Sequence, residues 1–349
     1  MTLRVAVVGL LLGACTEAPD PSPATSGAAS RELVQQLQGK AFGTTYTLKW
    51  RGIEPVPTEV EGPVQAALAR IDERMSTWRP DSELQAVRKG PGPVEVSAET
   101  AEVVRAGLAL AEATGGAFDP TVEPLMELWG FRGQRREAAP TDAEITEALG
   151  KVGHTKVRVQ VADAGPSFID AGGTALDLSA IAKGHAVDVV SQELSRLGAA
   201  DHLVEIGGEV RAQGTGPSGP WRLGVDRPER GIRPGTRFSA TLALTNASLA
   251  TSGNYRNAYD VDGLRVVHTM DPRTGRPYDS VVASVSVVAP DCRTADGWAT
   301  ALMVLSVEEG RKRVDARPEV DALWLVSTPD GFEQQRSARI EDWIDDPSR

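Results

Sequence analysis

Residues 268–277 read His-Thr-Met-Asp-Pro-Arg-Thr-Gly-Arg-Pro, which places an imidazole, a carboxylate and two guanidiniums in one turn punctuated by proline and glycine. Downstream, Asp296-Gly-Trp-Ala-Thr300 adds a carboxylate and a hydroxyl four residues apart, on one face of a helical run. An imidazole can accept a proton near neutrality. A carboxylate with a hydroxyl suits Mg²⁺, a hard cation that keeps positions for water and substrate phosphates. Of the four histidines, His268 is the best base; His154, His185 and His202 stand in less suggestive settings. The plainer reading of this second segment is that Asp296 or Thr294 caps the helix. A helix N-terminus repels a bare cation but attracts a diphosphate, so a joint metal and phosphate site suits it better than a metal alone.

Asp177-Leu-Ser-Ala-Ile-Ala-Lys183-Gly-His185 lies where a strand is expected to give way to a helix, presenting backbone groups and the Lys183 side chain to a ligand. Gly115-Gly-Ala-Phe118-Asp119-Pro120 is a non-helical junction whose Phe118 could stack on an aromatic ligand or belong to the core, an ambiguity that Trp78 shares. Gly207-Gly208 answers to turn geometry. The chain has no Gly-x-Ser-x-Gly elbow, no His-x-x-x-His zinc spacing and no Gly-x-x-x-x-Gly-Lys loop. A covalent enzyme intermediate is therefore not expected. The net charge of −11 argues against a nucleic-acid surface, so an anionic ligand needs local positive charge from Lys183, Arg256, His268, Arg273, Arg276 or a bound cation.

The elements that must position these groups alternate along the chain. Strands are expected at 45–50, 156–161, 175–178, 202–206, 209–213, 221–225, 241–244, 265–268, 281–288 and 322–326. Helices are expected at 60–75, with Val64, Leu68, Ile71 and Met75 on one face, at 98–114, at 142–149 capped by Thr141 or Asp142, at 184–197 and at about 295–305, with a further one at 121–129. Gly207-Gly208 joins two of the strands as a hairpin. This mixture of hairpins and helices indicates an α+β fold with mixed or antiparallel sheets, arranged as two closely packed lobes divided near residue 170.

Residues 1–15 read as an export signal: one basic residue, a short apolar run from Val5 to Leu12, and Leu12-Gly-Ala-Cys15. That segment resembles a bacterial lipobox, with Cys15 as the lipidated residue; an ordinary cleaved signal with an incidental cysteine is the alternative. Residues 16–30 lack large apolar side chains and read as a disordered tether. The expected product is an exported, lipid-anchored protein facing the periplasm. Cys292 is the only other cysteine, so the lipidated chain has no internal disulfide.

Eight segments in order, within residues 31–349, resemble the ApbE family of FAD:protein FMN transferases: Ala41-Phe-Gly-Thr-Thr45, Met75 to Leu84, Gly115 to Thr121, Asp177 to Gly184, Glu205-Ile-Gly-Gly-Glu209, Ala250 to Asn254, His268-Thr-Met-Asp-Pro272 and Ala295 to Thr300. The resemblance implies an ApbE-like fold, FAD as substrate, and Mg²⁺ held by the Ala180 carbonyl, Asp296 and Thr300. It implies flavin contacts from Phe42, Trp78, Ala117, Phe118, Asp119, Asp177, Lys183 and Met270, with His268 as the base. It also implies acceptor flavoprotein subunits of membrane redox complexes as partners. Phe42 stands where the family often has Met, and His185 where it often has Tyr or Phe. FAD pyrophosphatase activity, and flavin binding without catalysis, are the competing expectations.

Overall fold

The alternation that marks residues 45–50 as a strand extends to Thr44–Arg51, whose inward residues Tyr46, Leu48 and Trp50 are buried. This strand pairs antiparallel with Val34–Ala41 across the two-residue turn Phe42-Gly43, both residues having positive φ (51° and 74°). That backbone matches the twist of a tight hairpin but is unusual for a phenylalanine. The computed structural model describes residues 33–345 apart from 164, 230, 232, 234 and 255–257. The proposed signal, Cys15, the tether and Arg256 lie outside the described residues.

Eight strands form the main sheet in chain order: Val34–Ala41, Thr44–Arg51, His202–Ile206, Glu209–Gln213, Ala247–Gly253, Val282–Ala289, Asp321–Thr328 and Gly331–Arg336. Every neighbouring pair is antiparallel. Long insertions between strands carry the helices. Period-two alternation divides each central strand between two cores. In Asp321–Thr328, Ala322 and Trp324 belong to the cluster under the helices, while Leu323 and Leu325 join Trp221, Leu242 and Leu244 of the Trp221–Asp226/Phe238–Leu244 hairpin on the opposite face. Helices Ala182–Arg196 and Cys292–Val304 pack against each other and against the middle of the sheet. The helix Pro57–Met75 packs on Ala182–Arg196. Among the described residues no helix is long and apolar enough to cross a membrane.

Helices Pro57–Met75, Ala98–Thr114, Glu123–Leu128, Asp142–Leu149 and Ala182–Arg196 lie where periodicity puts them, within a few residues, and Thr141 caps the fourth by accepting from Glu144 N–H. Two expectations are corrected. Residues 175–178 form no strand: the Asp177 carboxylate accepts the Ser179 N–H at 2.8 Å, a local turn that competes with sheet pairing, and the strand of this region is instead Ser167–Asp170, between Val94–Val96 and Arg158–Gln160. The last long helix starts at Cys292 rather than 295, because Asp291 is its cap and accepts the Thr294 N–H at 2.8 Å. Asp296 therefore sits beyond the first turn and does not cap its own helix.

Candidate active site

Two helices meet at the site with almost no space between them. A Cβ on Gly184 would stand 2.3 Å from the Cys292 carbonyl oxygen, so only glycine permits this approach. The contact lets the Gly184 N–H, in the first turn of Ala182–Arg196, donate to Asp296 Oδ2 at 3.0 Å. A regular helix would aim that amide at the Ala180 carbonyl, so this carbonyl is not engaged in the helical ladder. Cys292 beside it is fully buried, and burial pushes its thiol well above the usual range, which removes it as a nucleophile.

Lys183 points from the same turn towards two buried carboxylates. Its Nζ is 2.6 Å from Glu209 Oε1 and 3.9 Å from Asp296 Oδ1. Burial opposes charge on all three groups. The ammonium is nevertheless held well above its ordinary range, because Asp296 and Glu209 outweigh its desolvation. Burial raises Glu209 to about 7, and it raises Asp296 as well. Four residues on, Thr300 Oγ1 lies 3.4 Å from Ser252 Oγ on the neighbouring strand. Ala180, Asp296 and Thr300 border one space, and the oxygen donors they carry, a carbonyl, a carboxylate and a hydroxyl, form a set that fits Mg²⁺. Among the described residues no group of three or more His, Cys, Asp and Glu side chains is arranged to hold a metal, so a cation here would depend on neutral oxygens and substrate as well as Asp296.

His268 follows the strand Leu264–Val267 and borders the same cavity, of about 440 Å³, together with Lys183, Glu209, Met270, Asp296 and Thr300. The 268–277 turn closes through Asp271, whose carboxylate accepts from Arg273 N–H and Nε at 2.9 Å each. Asp271 thus holds the turn. Arg273 is occupied by it, and Arg276 pairs with Asp142 at the surface; neither guanidinium borders the cavity, contrary to the sequence expectation. The cation that sequence reading missed is Arg132, which bonds Glu123 Oε2 (3.0 Å), Asp177 Oδ2 (2.5 Å) and Ser179 Oγ (3.0 Å) at the cavity edge.

Ala117, Phe118, Asp119, Asp177 and Ala180 border the same space. Phe118 is only 3 % exposed and belongs to the core, and the Asp119 carboxylate already accepts from Thr121 and His154. A second cavity of about 640 Å³ adjoins the first through Ser179 and Lys183, and its walls include Phe42, Met75 and Trp78. Trp78 is 70 % exposed, with the Arg132 guanidinium 5.3 Å from its ring centre. His185 is outside both cavities' linings and puts its Nε2 3.0 Å from Glu99 Oε1. The joined cavities combine a wide aromatic mouth with an inner end holding imidazole, ammonium and carboxylates. That arrangement can receive an elongated anionic ligand with a flat ring system.

The ApbE family profile matches residues 42–324. The chain is 36% identical over 315 residues to the FAD:protein FMN transferase of Vibrio cholerae, covering 88% of this chain and 92% of that protein. It is 34% identical to the Haemophilus influenzae protein of the same name, covering 88% and 91%. Among solved structures, the flavin transferase ApbE from Vibrio cholerae superposes with a TM-score of 0.79 at 34% identity, covering 89% of this chain and 99% of that one. The apo form of the Pseudomonas stutzeri flavinyl transferase ApbE gives 0.78 at 33%, covering 89% and 96%.

Proposed function

The chain belongs to the ApbE family, and on that premise we propose that it is an FAD:protein FMN transferase that moves FMN from FAD onto a Ser or Thr hydroxyl of an acceptor flavoprotein and releases AMP. The observation that carries this reading is that His268, Lys183, Glu209, Asp296 and Thr300 border one cavity that opens into a second walled by Phe42 and Trp78. The wider cavity suits a flavin ring, and the inner one suits the diphosphate.

In this reading the acceptor oxygen forms a bond to the FMN-side phosphorus while the bond from that phosphorus to the AMP oxygen breaks. His268 takes the proton of the attacking hydroxyl. Lys183 faces the diphosphate charge. Asp296, Thr300 and the Ala180 carbonyl would hold Mg²⁺, which supplies further neutralisation of phosphate charge when bound. Asp177, fixed by Arg132 and Ser179, and Met270 would flank the flavin.

Anchoring completes the proposal. Lipid on Cys15 would hold the domain at the periplasmic face of a membrane, within reach of flavoprotein subunits of membrane redox complexes. The test is an incubation with FAD, Mg²⁺ and a Ser/Thr-bearing acceptor fragment, read as flavin fluorescence on the acceptor in a denaturing gel and as released AMP. Equal FMN and AMP with no fluorescent acceptor would instead establish a pyrophosphatase. Replacing Asp296 by Asn should abolish the Mg²⁺ dependence, and retention of that dependence would remove Asp296 from the metal site. Cys15→Ser should move the protein out of the membrane fraction.

A further inference from the structure

Glu209 is the first residue after the Gly207-Gly208 turn, on a central strand of the sheet, and it is only 4 % exposed. Its Oε1 meets Lys183 Nζ at 2.6 Å, its Oε2 is buried with no hydrogen-bond partner, and the residue lines the inner cavity. An unsatisfied buried carboxylate oxygen is costly to fold and needs a reason. The reason lies in the charge balance. Two buried carboxylates, Glu209 and Asp296, share one ammonium, and Lys183 stands nearer to Glu209 (2.6 Å) than to Asp296 (3.9 Å). The ammonium is therefore committed to Glu209 and stands off from Asp296 Oδ1.

We infer that Glu209 is a positioning residue for the cation site: it draws the Lys183 ammonium away from Asp296, so that Asp296 Oδ1 stays available to a divalent ion. This rests on the metal reading above and extends it to a residue outside the implied ligand set. Without the Glu209 charge, Lys183 would be free to close on Asp296 as its own counter-ion. The lysine would then compete with the metal for the same oxygen.

The experiment uses the full chain without flavin and Mn²⁺ as the probe, with free Mn²⁺ read by electron paramagnetic resonance. Glu209→Gln should weaken Mn²⁺ binding by about tenfold or more, since the released ammonium then competes with the ion for Asp296 Oδ1. Lys183→Met should bind Mn²⁺ at least as tightly as the unaltered chain. The double variant should return to within about threefold of the unaltered chain, because the competing ammonium has gone. A double variant as weak as Glu209→Gln would overturn the inference and make Glu209 a direct ligand. Undiminished binding by a folded Glu209→Gln protein would overturn it too, as would loss of binding in Lys183→Met. An unaltered chain that binds no Mn²⁺ would remove the metal reading and this inference together. Failure of flavin transfer with the Mn²⁺ pattern intact would sink only the transferase reading.

Discussion

Gly184 and Asp296 are joined by a 3.0 Å hydrogen bond from a helix-opening amide to a buried carboxylate, at a point where the two backbones leave no room for a methyl group. Exchanging glycine for alanine within a helix ordinarily stabilises by about 1 kcal/mol. Here the sign should reverse. The added Cβ of Gly184→Ala would lie 2.3 Å from Cys292 O and 2.8 Å from Arg293 Cα, both backbone atoms, so the helices must part. We expect a loss of about 1–3 kcal/mol, read from urea unfolding. Weaker binding of divalent ions should accompany it as the amide leaves Asp296. A more stable variant would show that the approach of the helices is not tight.

The proposed proton acceptor gives a second expectation. Replacing His268 by Ala should lower the transfer rate by about 10²–10⁴ fold, the usual range for loss of a general base. The flavin is bound by other groups in this reading, so FAD affinity should change little. Stopped-flow or gel fluorescence gives the rate, and flavin quenching gives the affinity. An unimpaired rate would dismiss His268 from the chemistry; a rate loss matched by an equal loss of FAD affinity would make it a binding residue.

Much of this site could be read in the sequence, for local reasons. Gly207-Gly208 between alternating runs fixes the hairpin His202–Ile206/Glu209–Gln213 to the residue, and the Val64, Leu68, Ile71, Met75 stripe fixes a helix. Short motifs locate His268, Lys183 and Asp296. What could not be read are partnerships across long stretches of chain. Arg132 reaches Asp177 from 45 residues away, and no periodicity or motif signals that pairing. The polar strand Val34–Ala41 and the seven-residue helix Glu83–Lys89 also lack apolar patterns strong enough to announce them. The 175–178 run is apolar enough to suggest a strand, yet the Asp177 side chain bends the backbone instead.

Arg132 carries the third expectation. Glu123 is 2 % exposed and Asp177 is 6 % exposed, and Arg132 bonds both. Arg132→Ala would leave the two carboxylates facing each other in a buried space, at a cost of about 3–5 kcal/mol. Burial, and then the Asp177 charge, already raise Glu123 to about 7. Without the guanidinium it must rise further. At pH 6 Glu123 can escape the repulsion by taking a proton, and at pH 8 it does so less readily. The stability difference from the unaltered chain should therefore be larger at pH 8 than at pH 6 in urea titrations. A difference independent of pH would mean that Arg132 acts through packing alone.

His185 supplies the last, through its contact with Glu99. Glu99, on the helix Ala98–Thr114, is held down to about 2 from an ordinary 4.5, chiefly by its bond to His185, with burial opposing and Arg70 adding to the effect. A carboxylate whose folded-state value lies below its unfolded one contributes stability in full above pH 4.5, and that contribution is lost as pH falls towards 2. After discounting for the partly exposed Arg70, the contribution is about 2 kcal/mol. Glu99→Gln should therefore be less stable than the unaltered chain at pH 5, with the gap closing below about pH 4.5. Urea unfolding at pH 5 and 3.5 measures it. A gap that widens in acid would show that Glu99 is not held down by these partners. If instead the gap closes, the His185–Glu99 contact fastens Ala182–Arg196, the helix that carries Lys183 and Gly184, to Ala98–Thr114.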